Sequence, residues 1–486
     1  MFGVNIVYML TLPVLFVCDV AIDLALAGST VVSTSVSLTC PAACHCTMSQ
    51  SPFSQIAADC EGPIRDDDRF EPETEVVHVT GNCHRTFATV MASLGALEAL
   101  RELSIRRCHL HTVDELTRAG DALNWGSLLD LDVGFNLITH VADRTFVGMS
   151  SLRNLVLRHN RIEMIERDAF YGLDHLSRLD LTENRLSMVT AVDMRWLCAL
   201  RSIDELSLRD NGVHVLAADG FRCRPTGCPL RHLDLGENRI VRVEESAFDG
   251  LFNITQLDLD FSQLTTVPSA ALVRLSATLE ELDMNGNRLA SLLSSSFRDL
   301  RALRVLRLNR MSTLKFADRK CFTNMTSLER VELADNAALT YIDRGAFVDT
   351  PSVSNISLSG CRLSAVDQHF VVPLTSLKLL DLRRNPLICD CHTMWMQSSN
   401  VSLVDRGIWH QCRDDSDGGP DCRPRIAELF NTELDVPLTN SFSLYCRAVG
   451  FPPPRITWKL PSSRHHTSTP SQVHAIPHIL LTNVFL

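Results

Sequence analysis

Apolar residues recur along most of the chain in the spacing LxxLxLxxNxL, where x is usually polar. The strings LRNLVLRHNRI, from residue 152, and LRHLDLGENRI, from residue 230, show the pattern in full. Twelve such strings begin at residues 100, 128, 152, 176, 203, 230, 254, 279, 303, 328, 353 and 377, in steps of 24 to 28 residues. Self-similarity at this period predicts a solenoid, because each repeat can bury its apolar residues only against its neighbours.

Each repeat predicts one short strand. The second and third apolar positions lie two residues apart, so they point to the same side of an extended chain. Stacked coils then place these strands side by side in a parallel sheet, with the intervening polar side chains on a concave outer face. We therefore expect an α/β fold, a curved solenoid of about twelve leucine-rich repeats over residues 76–388.

The ninth position of the repeat, where the chain turns inward, is Asn in eight of the twelve copies. An Asn amide can donate to and accept from backbone groups that adjacent coils would otherwise bury unpaired. Cys108, Ser262 and Cys361 are small replacements that can still form a hydrogen bond, whereas Met311 cannot. We expect the coil over residues 303–314 to be the least regular of the array.

A Phe follows the ninth position by about ten residues in most repeats. These residues are Phe146, Phe170, Phe221, Phe248, Phe297, Phe322, Phe347 and Phe370. The spacing predicts a second apolar column behind the sheet, which explains how a chain with only 6% aromatic residues can build a long core.

Cysteines cluster at both ends of the array, where a solenoid must cover its exposed core. CPAACHC begins at Cys40 and is followed by Cys60, and NPLICDC ends at Cys391 and is followed by Cys412 and Cys422. Four cysteines allow three pairings in each cap, and disulfides are favoured over zinc in an exported chain. We expect no metal site and no cofactor.

These segments resemble the cysteine-rich flanks of extracellular leucine-rich repeat proteins, over about residues 40–424. The resemblance implies an N-terminal cap at 40–75 with disulfides Cys40–Cys46 and Cys44–Cys60. It also implies a C-terminal cap at 389–424 with disulfides Cys389–Cys412 and Cys391–Cys422. The pairing of Cys83, Cys198, Cys223, Cys228 and Cys321 stays open, although one disulfide among Cys198, Cys223 and Cys228 is favoured over a metal site.

The N-terminus is typical of an exported protein. Residues 4–17 form an apolar run, and Ala25-Leu26-Ala27 offers a cleavage site, so residues 1–27 are predicted to be a removed signal peptide. The alternative is an uncleaved apolar N-terminus, since no Lys or Arg precedes Arg65. No later apolar run is long enough to predict a transmembrane helix, so we expect a secreted protein or one on the outer face of the plasma membrane.

Beyond the second cap, Cys446 and Trp458 lie twelve residues apart in SLYCRAVGFPPPRITWKLP. This segment, 429–461, resembles strands B and C of an immunoglobulin domain, and residues 462–486 are predicted to be a disordered tail. The partner Cys of strand F is missing, which favours a truncated sequence over a functional short form. The junction resembles the ectodomains of neurotrophin receptor tyrosine kinases, and the twelve repeats resemble more widely the leucine-rich repeat and immunoglobulin surface proteins.

The chain has 57 acidic and 46 basic residues, a net charge of −11, which argues against a nucleic-acid partner because phosphate binding needs a basic stripe. The residue between the second and third apolar positions is acidic in seven repeats: Asp132, Asp180, Asp234, Asp258, Asp283, Glu332 and Asp381. This row is either a ligand site or the solvated consensus of the repeat. Phe135, Arg158, Arg209 and Phe261 are further candidates, because aromatic residues and Arg often anchor interfaces.

Four sequons are candidate glycosylation sites: Asn253, Asn324, Asn355 and Asn400. A glycan on Asn355 would shield the later repeats and direct a ligand to repeats 2 to 8. We expect a non-enzymatic extracellular module that binds a protein ligand or co-receptor through the concave face. The alternatives are the front of a receptor tyrosine kinase or of a peroxidase with repeats and immunoglobulin domains, and an innate-immunity receptor.

Overall fold

The structure is a computed structural model. It describes residues 39–49, 55–61, 69–81, 94, 97–113, 125–187, 189–190, 192–223, 227–388 and 393–397, with short strands at 402–404, 425–428, 447–449, 457–459, 465–466 and 484–485. The predicted signal peptide, Cys83, Cys389, Cys391, Cys412, Cys422, Asn400 and most of the predicted immunoglobulin segment lie outside the described residues.

One sheet of 16 strands runs through the array in chain order. Its strands are β1 (Cys44–Ser49), β2 (Gln55–Glu61), β3 (Thr74–Thr80), β4 (Glu102–Arg106), β5 (Asp130–Asp132), β6 (Asn154–Val156), β7 (Arg178–Asp180), β8 (Glu205–Ser207), β9 (His232–Asp234), β10 (Gln256–Asp258), β11 (Glu281–Asp283), β12 (Val305–Arg307), β13 (Arg330–Glu332), β14 (Asn355–Ser357), β15 (Leu379–Asp381) and β16 (Ser402–Val404). β1 and β2 are antiparallel, and β2 starts the parallel run with β3. Strands β4 to β15 are the twelve predicted repeat strands, so the expected solenoid is confirmed.

The return segments of the coils are short and irregular. Their strands are His140–Val141, Met164–Ile165, Val215–Leu216, Arg242–Val243, Ser291–Leu292, Phe297–Arg298, Phe316–Ala317, Phe322–Thr323, Tyr341–Ile342 and Phe347–Val348. The described α-helices are Ser269–Leu272 and Gln368–Val371, and the described 3-10 helices are Trp125–Ser127, Arg195–Ala199, Val273–Leu275 and Met394–Gln397. Further strands are Arg425–Glu428, Arg447–Val449, Thr457–Lys459, His465–His466 and Val484–Phe485. Among the described residues, no helix is both long and apolar enough to cross a bilayer.

The Asn side chains of the ninth position join each coil to the one before it. Asn238 is typical, since its Nδ2 donates to Leu208 O at 2.8 Å and to Leu235 O at 3.0 Å, and its Oδ1 accepts from Val213 N at 3.1 Å. All eight ninth-position Asn residues donate to the preceding coil, at 2.7 to 3.1 Å. The predicted role of this position is confirmed.

The replacements at the ninth position behave differently from one another. Cys361 Sγ donates to Leu333 O at 3.2 Å, as expected. The expectation for Ser262 is wrong, because its buried Oγ has no hydrogen-bond partner within the described part of the chain. The expectation for Met311 is also wrong, since Met311 is fully buried and β12 keeps its register with both neighbouring strands. The apolar side chain of Met311 thus fills the space that Asn occupies in other repeats.

The Phe column behind the sheet is confirmed. All eight predicted Phe residues are buried. Phe297 and Phe322 stack with ring centroids 5.7 Å apart, and Phe322 and Phe347 stack at 4.6 Å. One coil without a Phe places Trp196 in the column, 5.3 Å from Phe170 in an edge contact. The ring contacts form three runs: Phe146 to Trp196, Phe221 with Phe248, and Phe297 to Phe370.

The N-terminal cap carries the disulfides that the family resemblance implies, Cys40–Cys46 and Cys44–Cys60. A third disulfide joins Cys198 to Cys223, whereas Cys228 is buried with a free thiol, as are Cys321 and Cys361. Burial raises the pKa of the Cys228 thiol to about 11. Cys108 is also disulfide-bonded, so its sulfur has no proton to donate at the ninth position.

We predict that Asn238→Ala destabilises the array far more than Ser262→Ala, although both change the ninth position. The first substitution strands buried backbone groups that the Asn amide bonds, at a cost of about 2 kcal/mol, and the second removes a hydroxyl without a described partner, at under about 1 kcal/mol. Urea unfolding followed by circular dichroism measures both changes. Equal losses would contradict the proposed role of the amide.

Candidate functional site

The outward side of the sheet carries the side chains that can meet a partner. They belong to the third, fifth and seventh positions of each repeat, which alternate with buried Leu residues, and to the adjoining eighth position; we call this surface the strand face. In β9, for example, His232 and Asp234 are partly exposed while Leu233 between them is buried. The predicted ligand-binding residues all lie on the strand face or at its eighth-position edge.

The eighth residue has a left-handed backbone in every repeat. The residues are Arg107, Phe135, His159, Glu183, Asp210, Glu237, Phe261, Gly286, Arg310, Asp335, Gly360 and Arg384, all with φ between 48° and 68°. Ten of the twelve are not Gly, although side chains other than Gly and Asn disfavour this conformation. Each coil is therefore held in this geometry by its neighbours, and the column of side chains at the edge has a fixed direction.

The acidic row is densest at its centre. Asp234, Asp258 and Asp283 lie directly beside one another on β9, β10 and β11, in register. Asp260, two residues beyond Asp258, is buried next to them. We call these four residues the acidic cluster.

Arg209, in the coil directly before the acidic cluster, neutralises part of it. Its guanidinium contacts Asp260 at 2.8 Å, Glu237 at 2.8 Å and Asp234 at 3.4 Å. Gly236 lies between Arg209 and Asp260, and a Cβ there would overlap both side chains. The missing side chain of Gly236 therefore opens the gap that the ion pair spans. Arg209, predicted as an exposed anchor, is instead largely occupied within the chain.

A second glycine has the same role further along. Asp335 and Arg384 form an ion pair at 2.8 Å, although they belong to coils separated by the coil of Gly360. A Cβ on Gly360 would overlap Asp335 Oδ1. Gly286 likewise leaves room for the ring of Phe261, whose side chain remains 44% exposed. Because these glycines lack a side chain, side chains of neighbouring coils occupy the space beside them.

Proton affinities in the acidic cluster are shifted. Burial, with the nearby charges of Asp260 and Asp258, raises the pKa of Asp283 to about 6. Burial also raises the pKa of Asp234. The hydrogen bond to Asp258, at 2.8 Å, raises the pKa of His232. The cluster therefore holds protons more readily than separate carboxylates would.

The first repeats carry a different arrangement, centred on Phe135. The guanidinium carbon of Arg107 lies 5.7 Å from the centroid of the Phe135 ring, and that of Arg158 lies 5.3 Å from it. The His159 ring lies 4.6 Å from the same centroid. We call Arg107, Phe135, Arg158 and His159 the Phe135 site. The repeat pattern predicted Phe135 and Arg158 as candidates but not Arg107 or His159, because only the stacking of coils brings these two to the ring.

The remaining predicted residues lie between these two groups or beyond them. Asp132 is held by Arg106 and by the amide of Gly134, at 2.8 Å. Asp180 accepts from Thr182 N at 2.9 Å and lies on β7, between the Phe135 site and the acidic cluster. No group of three or more His, Cys, Asp or Glu side chains within the described ranges is arranged to hold a metal ion.

The described sequons differ in accessibility. Asn253 is exposed, and Asn355 lies partly exposed on β14, on the strand face as predicted. Asn324 is held by Asp299, to which its Nδ2 donates at 2.6 Å. A bulky glycan would be attached to this same nitrogen, beside Asp299, so Asn253 and Asn355 are the better candidates.

A family model described as "Leucine rich repeat" matches residues 98–162, 126–186, 150–213, 228–289 and 301–363. The chain is 25% identical to Tsukushi of Gallus gallus over 276 residues, which cover 57% of this chain and 65% of that protein. It is 30% identical over 149 residues to the BDNF/NT-3 growth factors receptor of Gallus gallus, with 28% of this chain and 18% of the receptor covered. The chain thus spans less than two thirds of each relative. It carries leucine-rich repeats and is similar to extracellular proteins built from them.

Among solved structures, the chain is similar to one described as "Octameric complex of Latrophilin 3 (Lec, Olf), Unc5D (Ig, Ig2, TSP1) and FLRT2 (LRR)". The TM-score is 0.45 and the identity 22%, with 63% of this chain and 83% of that chain covered.

We predict that Gly236→Ala destabilises the array by about 2 kcal/mol, because the new Cβ must separate Arg209 from Asp260 and leave buried charges poorly paired. Gly212→Ala is the matched control, since a Cβ there meets Leu186 O at 3.4 Å, an ordinary contact. Its cost should stay within about 1 kcal/mol. Chemical unfolding measures the stability of both variants. If Gly236→Ala were as stable as Gly212→Ala, the ion pair between Arg209 and Asp260 would not depend on the missing side chain of Gly236.

We also predict opposite pH effects for two Asp residues at the fifth position. The pKa of Asp283 is about 6, above its ordinary value of 3.8, so its ionisation costs stability as the pH rises between these values. Asp283→Asn should therefore gain about 1 kcal/mol at pH 7.5, after allowance for solvent exposure, and little at pH 3.5.

Asp381 is the matched comparison. Burial raises its pKa, but hydrogen bonds and the charge of Arg383 outweigh burial and leave the pKa lowered. Its ionised form therefore stabilises the fold above the ordinary pKa, and the contribution fades as the pH falls. Asp381→Asn should lose stability at pH 7.5 and much less at pH 3.5. The free energy of unfolding of both variants, measured at pH 7.5 and pH 3.5, tests the prediction. If Asp283→Asn and Asp381→Asn changed stability in the same direction at pH 7.5, the opposite pKa shifts of the two residues would be contradicted.

Proposed function

We propose that this leucine-rich repeat chain is a non-enzymatic extracellular binding module, the ectodomain of a receptor or adhesion protein that recognises a protein partner through its strand face. The observation that carries the proposal is the fixed order of that face. The single guanidinium of Arg209 forms ion pairs with carboxylates of the next two coils. Every residue of the eighth-position column has the same left-handed backbone conformation. A partner that meets such a surface needs to order little of it on binding.

An extracellular location is supported by the disulfides of the cap and by Cys198–Cys223, since such bonds persist in oxidising compartments. The apolar N-terminal run, read as a signal peptide over residues 1–27, and the sequons at Asn253 and Asn355 agree with export. Similarity to a protein named as a growth factors receptor is consistent with a place at the cell surface.

The proposed footprint is the strand face of repeats 2 to 8. It includes Asp132, Phe135, Arg158, Asp180, Arg209, Asp234, Asp258, Phe261 and Asp283. A glycan on Asn355 would leave this region open while it shields the later strands. Phe135 and Phe261 are the favoured anchors, because both project from the edge column and aromatic residues often dominate interface energy.

The second candidate is the front part of a longer receptor tyrosine kinase. The similarity to the BDNF/NT-3 growth factors receptor favours it, over 149 residues. In that case the strand face would keep its binding role and the catalytic domain would lie elsewhere in the longer protein.

We predict that replacing the two edge aromatics weakens partner binding. The full chain, secreted from animal cells, is screened against an array of extracellular proteins, and the partner found is then titrated by surface plasmon resonance. Phe135→Ala with Phe261→Ala should reduce affinity about tenfold or more.

The matched control combines Tyr171→Ala with Phe252→Ala, which removes two aromatics that are 55% and 66% exposed and lie outside the strand face. It should leave affinity within about twofold. Loss of binding in the control alone would refute the strand-face proposal.

A further inference from the structure

The strand face combines two regions of opposite character. The acidic cluster is partly neutralised from within the chain by Arg209, and His232 is hydrogen-bonded to Asp258. At the Phe135 site, by contrast, the two guanidinium groups of Arg107 and Arg158 rest on one ring, and neither has a carboxylate partner among the described residues.

Two carboxylates near the site have other partners. Glu183 Oε2 lies 2.5 Å from His159 Nδ1. Asp132 lies one coil before Arg158, but its Oδ2 accepts from Arg106 and its Oδ1 from the amide of Gly134. Arg158 Nε is buried without any acceptor in the part of the chain that the structure describes. A buried donor without an acceptor costs free energy, and no described contact within the chain offsets that cost here.

The position of the two Arg side chains is fixed by the backbone. Arg107 N donates to Phe135 O at 3.0 Å, and Phe135 N donates to Arg158 O at 3.0 Å. Arg107 and Phe135 both have φ of 56°, so they project from the edge column of adjacent coils. Gly134 keeps the space beside Arg158 open, because a Cβ there would lie 3.3 Å from Arg158 Cγ. The site is thus ordered before any ligand arrives.

We propose that the Phe135 site binds an acidic segment of a protein partner, with Asp or Glu carboxylates paired to Arg107 and Arg158 and an apolar part of the segment on the Phe135 ring. This inference rests on the proposed function and names the chemistry of the partner at one place on the strand face. Charge-assisted bonds to guanidinium groups are strong and directional, and the aromatic platform holds the groups in place without occupying their donors.

A short acidic segment fits this surface better than a long polyanion such as a sulfated polysaccharide. The strand face beyond the site carries Asp180, Asp234 and Asp258 at the same repeat position. A polyanion that extended along the array would meet these carboxylates, whereas a single acidic loop would not.

The test uses the full secreted chain and two probes. The first is a short fluorescein-labelled peptide of Glu and Gly around one Leu, and the second is a heparin-derived oligosaccharide. Fluorescence anisotropy measures the peptide, and competition with the labelled peptide measures the oligosaccharide. A peptide with Gln in place of Glu shows how much of the binding depends on charge.

The main variant combines Arg107→Gln and Arg158→Gln, which removes both unpaired guanidinium groups and keeps the ring. The matched control combines Arg288→Gln and Arg362→Gln, two exposed arginines outside the site, so that the net charge changes equally. Thermal unfolding of both variants verifies that they are folded. We expect the main variant to weaken peptide binding about tenfold, and the control to change it less than about twofold.

Several outcomes would overturn the proposal. They are equal losses in the two variants, absence of peptide binding to the unsubstituted chain, and oligosaccharide binding that depends on Arg107 and Arg158 more strongly than peptide binding does. The partner identified with the Phe135 and Phe261 variants gives a separate result. If it requires these aromatics but is indifferent to Arg107→Gln with Arg158→Gln, the acidic-segment inference fails while the strand-face function stands.

Discussion

The need to pair buried backbone groups between neighbouring coils is the constraint on which this structure depends. A coil of about 24 residues has few internal hydrogen bonds, so its carbonyls must find donors in the next coil. The ninth-position Asn donates to one carbonyl of the preceding coil and one of its own coil, and it accepts an amide of the preceding coil; eight such side chains connect most of the array. Because the Asn must reach both coils, successive coils are held in one register. The rows of side chains on the strand face follow from that register.

The same constraint shapes the edge of the strand face. The residue before the ninth position adopts a left-handed backbone in all twelve repeats, whether it is Arg, Phe, Glu or Gly. An isolated Phe would avoid this conformation, so the hydrogen bonds that flank it must offset the strain. Phe135 is held on both sides, by Arg107 N and by Arg158 O. Its half-buried position at the edge of the strand face is therefore a consequence of coil stacking and not of a local preference of Phe.

Sequence periodicity was sufficient for the features that depend on one repeat and its immediate neighbour. The twelve strands, the Asn bonds and the Phe column follow from such spacing. Periodicity was insufficient for contacts between residues two coils apart. It was also insufficient where another residue replaces Asn at the ninth position. Arg209 and Asp260 are 51 residues apart and meet only because Gly236 lacks a side chain. Ser262 and Met311 show the limit at single positions, since hydrogen-bonding capacity alone predicted neither the unpaired hydroxyl nor the regular coil.

The charged side chains of the strand face thus differ in whether they already have an oppositely charged partner within the chain. Seven acidic residues in one row suggest a uniform negative surface, but Arg106 holds Asp132, Arg209 holds Asp234 and Arg383 holds Asp381. A partner would have to displace these internal contacts before it could use the same carboxylates, which reduces the net gain. Arg107 and Arg158 face no such competition among the described residues. The strand face therefore presents two guanidinium groups that no described carboxylate pairs, beside the ring of Phe135.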